Sequence, residues 1–258
     1  MQKCKSLLKP EDAVSSLQKM WRRHKEFGLK INQKKTELMT LNIPNPSPIQ
    51  IDGTSLPTTD HFTYLGSVVS HDGGADSDIT SRLSKARNTL QRLNNVWKSA
   101  QYSTNTKLRL YQSCVLSTLL YGSECWRTTE NDLHKLSTFH TKSLRKIQRI
   151  FWPQTISNQH LLSLCKQDNM ATILMRRRWK WIGHVIRREQ DNITQTALHW
   201  TPDGKRKRGR PKITWRRTVE GELKTLHHTW GSIKTLAHNR QEWRSFVVAL
   251  HASRHKGQ

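Results

Sequence analysis

Acidic residues are scarce in this sequence: 19 Asp and Glu stand against 44 Lys and Arg in 258 residues. No two aspartates are adjacent anywhere. Phosphoryl transfer by a two-metal site needs at least two carboxylates held a few ångströms apart. The adjacent pair Glu11 and Asp12 follows Pro10 and opens a helical pattern, where both acids offset the helix dipole. The phosphate-cradling loop G-x-x-x-x-G-K-[ST], the H-E-x-x-H helix and the G-x-S-x-G elbow are missing too. Cys4, Cys114, Cys125 and Cys165 are scattered with no C-x-x-C, and none of the 13 histidines joins them at ligand spacing. That excludes a zinc knuckle and a disulfide framework, and it points to reduced thiols in nucleus or cytoplasm. The first twenty residues hold no apolar core of a secretory signal, and no run of 18 apolar residues exists to span a membrane.

What is abundant is positive charge, and it is unevenly placed. Residues 1–78 carry 10 basic and 9 acidic residues, a net of +1, whereas residues 79–258 carry 34 and 10, a net of +24. Such an excess repels itself unless it meets a polyanion, and nucleic acid is the expected partner. Hydrophobic residues make up only 34% of the chain. Ten tryptophans nevertheless argue for a folded chain with a modest core rather than a disordered tail.

Residues 11–27 read as a helix opened by Pro10 and ended by Gly28. Residues 29–32, 36–41 and 49–51 read as short strands, and residues 61–70 as a β-like run stopped by the turn His71-Asp72-Gly73-Gly74. From there the period switches to that of helices. Ile79, Leu83, Ala86, Leu90, Leu93 and Trp97 form one apolar stripe, flanked by Arg82, Lys85 and Arg92. A second helix fits residues 106–120, with Leu108, Tyr111, Val115 and Leu119 inward. A third fits residues 130–151, with Leu133, Leu136, His140, Leu144, Ile147 and Phe151 inward and Lys142, Arg145, Lys146 and Arg149 on the opposite face. His140 inside an apolar stripe reads as a satisfied core histidine rather than a ligand. Pro153 breaks the pattern, and helices follow at 157–166, 169–188, 211–226, 230–238 and 240–250.

Two basic segments stand out. Residues 176–188 interleave Arg176, Arg177, Arg178, Lys180, Arg187 and Arg188 with Trp179 and Trp181. Cations there neutralise phosphates while an indole stacks on a base. Trp181 aligns with Met170, Leu174 and Val185 and reads as core, which leaves Trp179 as the stacking candidate. The run Lys205, Arg206, Lys207, Arg208, Gly209, Arg210, Pro211, Lys212 is a linker by composition. Its Arg-Gly-Arg-Pro centre looks like an AT-hook for a narrow minor groove, and equally like a nuclear localisation run or a solvated linker.

Taken in order, several stretches resemble the reverse transcriptase of non-LTR (LINE-type, RTE-like) retrotransposons. Phe27-Gly28-Leu29-Lys30-Ile31-Asn32 through Lys35-Thr36-Glu37-Leu38-Met39 resembles the segment after the catalytic box. Tyr64-Leu65-Gly66-Ser67-Val68-Val69 with Asp72-Gly73-Gly74 resembles the primer-grip hairpin. Leu119-Leu120-Tyr121-Gly122-Ser123-Glu124-Cys125-Trp126 resembles the thumb signature. Trp179-Lys180-Trp181-Ile182-Gly183-His184-Val185-Ile186-Arg187 and the 204–211 run resemble the C-terminal region. The resemblance implies a late palm, a helical thumb and a helical C-terminal region, with Lys35 as an accessory to pyrophosphate departure and Tyr64, Leu65 and Gly66 as the grip on the primer end. It also implies an aspartate box just before the first helix, whereas residues 1–10 contain no acid.

The expected architecture is therefore α+β, mostly α. A short β-containing palm remnant (1–74) precedes a helical thumb (75–152) and a basic helical C-terminal region (153–258). The expected role is that of a truncated reverse transcriptase (RNA-directed DNA polymerase) piece without its catalytic aspartates, inactive alone. Backbone binding to RNA and DNA template-primer through residues 82–98, 142–149, 176–188 and 205–217 would remain. No cofactor is expected in this piece, since Mg²⁺ belongs to the complete polymerase. The rivals are a polymerase subunit completed by carboxylates from elsewhere, a repurposed nuclear nucleic-acid-binding or chromatin-interaction protein, and a decayed fragment.

Overall fold

The computed structural model describes residues 15–16, 19–20, 23, 26–28, 32, 35–40, 48–51, 54–189, 192–199 and 214–251. The chain is α+β and mostly α, and it divides into two compact units, Met1–Ser77 and Asp78–Gln258.

In the first unit residues 15, 16, 19, 20, 23 and 26 are helical. Gly28 has φ +69°, the left-handed conformation that ends a helix. Strands β1 (Gln50–Ile51) and β2 (Thr54–Ser55) pair antiparallel, with Gln50 opposite Ser55. Leu38 makes one parallel bridge to Thr58, its N–H donating to the Pro57 carbonyl at 2.9 Å. The rest of the strand expected at 36–41 is not formed among the described residues.

The run at 61–70 folds back on itself. Strands β3 (His61–Tyr64) and β4 (Ser67–Ser70) pair antiparallel, with Phe62 opposite Val69 and Tyr64 opposite Ser67. The two-residue turn has positive φ at both positions, +49° at Leu65 and +80° at Gly66. This hand suits the twist of a hairpin. Glycine adopts it freely, but Leu65 bears a steric cost. After β4 the Asp72 carboxylate accepts from the Ser70 hydroxyl at 2.7 Å and the Gly74 N–H at 2.8 Å. These two bonds close the turn read from the sequence, as a short acidic side chain does when it bonds the backbone two residues on.

Helix α1 (Asp76–Arg92) buries Ile79, Leu83 and Ala86, as its stripe predicts. The pattern does not continue as one helix to Trp97. The axis breaks at Leu93, and α2 (Asn94–Lys98) follows, with the Trp97 indole donating to the Leu90 carbonyl at 2.7 Å across the break. The helix expected at 106–120 is three pieces: α3 (Thr104–Leu110), a π-helical turn (Tyr111–Leu116) and α4 (Ser117–Leu119). Leu108, Tyr111, Val115 and Leu119 are all buried. A single 3₁₀ turn (Ser123–Cys125) follows Gly122 at φ +74°.

Helix α5 (Glu130–Gln148) starts in a capping box, the Thr129 and Asp132 side chains each accepting from the other's backbone N–H. It stops three residues short of the expected end. Arg149 adopts the left-handed conformation, and the Ile150 N–H reaches back to the Arg145 carbonyl at 3.0 Å, a common way for a helix to close. Phe151 therefore leaves the apolar stripe and is exposed, not inward. Helices α6 (Asn158–Leu164), α7 (Met170–Ile186), α8 (Ile193–His199), α9 (Trp215–Thr225), α10 (Trp230–His238) and α11 (Arg240–Ala249) complete the chain. Ser157, Asn169, Thr214, Thr229 and Asn239 cap five of them with side-chain oxygens. Helix α8 has no counterpart in the sequence reading, and the linker expected at 201–212 lies outside the described residues.

Helix α7 is the axle of the second unit. It packs against the 3₁₀ turn, α5, α10 and α11. Its C-terminal half shares a core with α8 to α11, in which Trp179, Ile182, Val219, Ile233 and Trp243 are buried. Gly183 makes this possible. A Cβ at that position would overlap the Trp243 indole, its nitrogen first. Only glycine lets α11 seat its tryptophan against the helix.

Candidate nucleic-acid interface

A cation that binds phosphate must have its head in solvent, and the structure sorts the predicted cations by that criterion. Arg178 does not meet it. Its guanidinium is buried and donates to the Glu222 carboxylate on α9, which also accepts from the Trp179 indole at 2.8 Å. Burial raises the Glu222 carboxyl, while the Arg178 charge and the two hydrogen bonds draw it back. Trp179 is wholly enclosed, edge-on to Phe246 at 5.8 Å, and so offers no face to a base. The expected orientation is thus corrected. Trp179 is the core residue, and the partly buried Trp181 packs edge-on against Trp215 at 5.9 Å.

Other predicted cations brace the fold. Arg82 is buried over the Tyr121 ring, 4.3 Å from its centroid, and 3.7 Å from the Asp78 carboxylate. Asp78 in turn accepts from the Trp126 indole at 2.7 Å. Arg145 donates to the Ile156 carbonyl at 3.0 Å and the Asn158 amide oxygen at 2.8 Å. Arg176 donates to Asp168 at 2.6 Å and to the Leu250 carbonyl at 2.9 Å. Arg177 donates to the Ser123 hydroxyl at 3.1 Å, and Arg187 to the Ala237 carbonyl at 2.8 Å. Arg149 is exposed although its guanidinium reaches the Lys98 carbonyl.

Lys85, Arg92, Lys142, Lys180 and Arg188 are exposed, and Lys146 is half-buried. Lys142 and Lys146 lie one turn apart on α5, with Arg149 at its end. Arg188 donates to the His184 imidazole at 3.0 Å. Lys205, Arg206, Lys207, Arg208, Arg210 and Lys212 lie outside the described residues. In the first unit Lys35 is exposed, Tyr64 and Gly66 are half-buried, and Leu65 stands out at the hairpin tip.

Among the described residues no three His, Cys, Asp or Glu side chains converge on a common point. Four acids of the second unit have other duties: Asp78 holds Trp126, Asp132 caps α5, Asp168 pairs with Arg176, and Glu222 with Arg178. These residues do not fit a two-metal polymerase centre. Nor is any helix of the described residues long and apolar enough to cross a membrane.

No family model matches the chain. No solved structure matches it. Over 257 residues it is 26% identical to an uncharacterized transposon-derived protein of Caenorhabditis elegans, across 92% of this chain and 89% of that protein.

Two features at this surface were missed by the sequence reading. Residues 79–123 and 133–167 contain not one Asp or Glu, which a running charge count alone reveals. The Phe151-Trp152 pair also passed unnoticed, because a helix extended to 151 turns Phe151 inward.

Proposed function

We propose that the chain derives from a non-LTR retrotransposon reverse transcriptase and holds RNA and DNA, template-primer included, by their phosphate backbones. One observation carries the reading. The helices of residues 79–123 and 133–167 carry exposed Lys85, Arg92, Lys142 and Arg149, with no acid in either stretch to repel phosphate. The name of the nematode relative supports a transposon-derived origin, and the ordered motifs at 27–39, 64–74, 119–126 and 179–187 support the reverse transcriptase. The Lys35 and Tyr64-Leu65-Gly66 assignments rest on those motifs.

Fluorescence anisotropy with labelled duplex and single strands at rising salt tests the proposal. Each phosphate neutralised on a duplex contributes a slope of about −0.9 in log affinity against log salt. A slope steeper than about −3 is expected, and affinity flat from low to moderate salt rejects backbone contact. Primer extension with Mg²⁺ is expected to give no product from this chain alone, because the sequence holds no aspartate pair of the kind that grips two metal ions.

A further inference from the structure

The geometry points to the turn at Phe151-Trp152 as a stacking platform for unpaired bases of single-stranded nucleic acid. This rests on the backbone-binding role proposed above and adds the part of the ligand that is not phosphate.

Trp152 is 88% exposed and Phe151 61%, the first being the most exposed large hydrophobic side chain of the described residues. Two adjacent large aromatics left in water forgo the burial that draws such side chains inward. The loop that presents them is not loose. The Gln154 N–H donates to the Phe151 carbonyl at 2.9 Å, which puts Trp152 at the corner of a turn. At the base, Arg145 ties the two limbs together. Its carbonyl accepts from Ile150, and its guanidinium donates to Ile156 and Asn158. A turn whose backbone is bonded in this way leaves less of the chain to be ordered when a ligand binds.

The surroundings select the ligand. Helix α5 runs into this turn with Lys142 and Lys146 on its last two turns and Arg149 just past its end. Arg149 also reaches the Lys98 carbonyl, which brings the end of α2 to the same place. Both segments belong to the acid-free stretches 79–123 and 133–167. An apolar pair that follows Lys142, Lys146 and Arg149 suits a ligand that is anionic along its length and flat and aromatic at intervals. A single strand has both properties, with bases free to stack, whereas a duplex hides its base faces.

The test uses the full chain and three labelled 20-mers: a mixed-sequence single strand, the duplex of the same sequence, and a strand whose central sites are abasic. Stacking is worth about 1–3 kcal/mol per base, so Trp152→Ala should weaken single-strand binding by about five-fold or more. Duplex binding, abasic-strand binding and the melting temperature should stay put, and Trp152→Phe should restore most of the loss. Equal binding of the single strand by Trp152→Ala overturns the platform while leaving the backbone reading intact. So does an equal loss on the abasic strand. So does a Trp152→Ala chain that instead dissociates from a self-associated form, which would make the turn an interface between copies. If the unaltered protein binds none of the three strands, both proposals fall.

Discussion

The Tyr111 hydroxyl lies 2.8 Å from Nδ1 of His140 in the interior of the second unit, joining the π-helical turn to the middle of α5. The widened turn brings Tyr111 opposite the imidazole, and both rings are buried. Burial pushes the tyrosine hydroxyl far above its usual range, so it is the donor, and Nδ1 accepts. The same burial lowers the His140 pKa from 6.5 to about 4, against a weaker upward pull from the Asp168 backbone.

That depression makes folding sensitive to acid. The unfolded chain binds a proton on this ring below pH 6.5, whereas the folded chain refuses it until about pH 4. His140 therefore contributes its full stability above 6.5 and loses it as pH falls towards 4. The loss amounts to about 3 kcal/mol. Urea unfolding of the wild type should show that decline. His140→Asn, whose amide oxygen can replace Nδ1 as acceptor, should flatten it. An unchanged slope in the variant would assign the acid sensitivity to other groups.

Gly183 tolerates no side chain. A methyl there would overlap the Trp243 indole, and that ring is itself hemmed in by Trp179 and Phe246 at 6.2 and 5.2 Å. Alanine gains about 1 kcal/mol of helix propensity at an interior position. Overpacking a rigid ring costs about 1–3 kcal/mol and here exceeds that gain. Gly183→Ala should lower the urea midpoint, and a double variant with Trp243→Phe should recover part of the loss. A stabilised single variant would show that α11 does not seat on α7 in this way.

How much of this was legible beforehand depends on how many neighbours a helix has. Helix α1 packs on one face, so Ile79, Leu83 and Ala86 at steps of four and three identified its buried side correctly. Helix α7 is buried on more than one face, so periodicity could not choose between Trp179 and Trp181. The choice is made by Glu222, 43 residues after Trp179, whose carboxylate an indole and a guanidinium share. Arg145 and Arg176 read as phosphate ligands because their acceptors are a loop carbonyl and Asp168 with Leu250, and Arg82 because it lies over the Tyr121 ring 39 residues on, partners that no helical wheel displays. Phe151 was misplaced for a local reason, one left-handed residue at Arg149.

The hairpin turn stores strain at Leu65. Its φ is +49°, and its side chain gains no burial in exchange. A leucine there costs about 1 kcal/mol relative to a residue that accepts the left-handed region. Leu65→Asn should therefore raise the stability of the first unit by about that amount, read as slower amide exchange in β3 and β4. If Leu65 is kept for contact with a primer end, the same variant should weaken template-primer binding while it stabilises the fold. Exchange that quickens in Leu65→Asn would show that the turn is not strained.

Arg178 and Lys180 sit two residues apart on α7 and should fail in opposite ways. Arg178 is buried against Glu222, so Arg178→Met leaves a carboxylate without its partner in a site that already raises its pKa. Removing one member of a buried pair costs about 3–5 kcal/mol. Arg178→Met should therefore lower the urea midpoint sharply, and Glu222→Gln in the same chain should restore part of it by removing the stranded charge. Nucleic-acid affinity, measured below the new midpoint, should not change. Lys180 is exposed, so Lys180→Ala should leave the midpoint where it is. If Lys180 contacts phosphate, its loss should weaken binding and make the salt slope shallower by about one contact. Affinity that falls for Arg178→Met in proportion to its stability loss would mean the two residues are not separable by burial, and the sorting of cations into braces and ligands would fail with it.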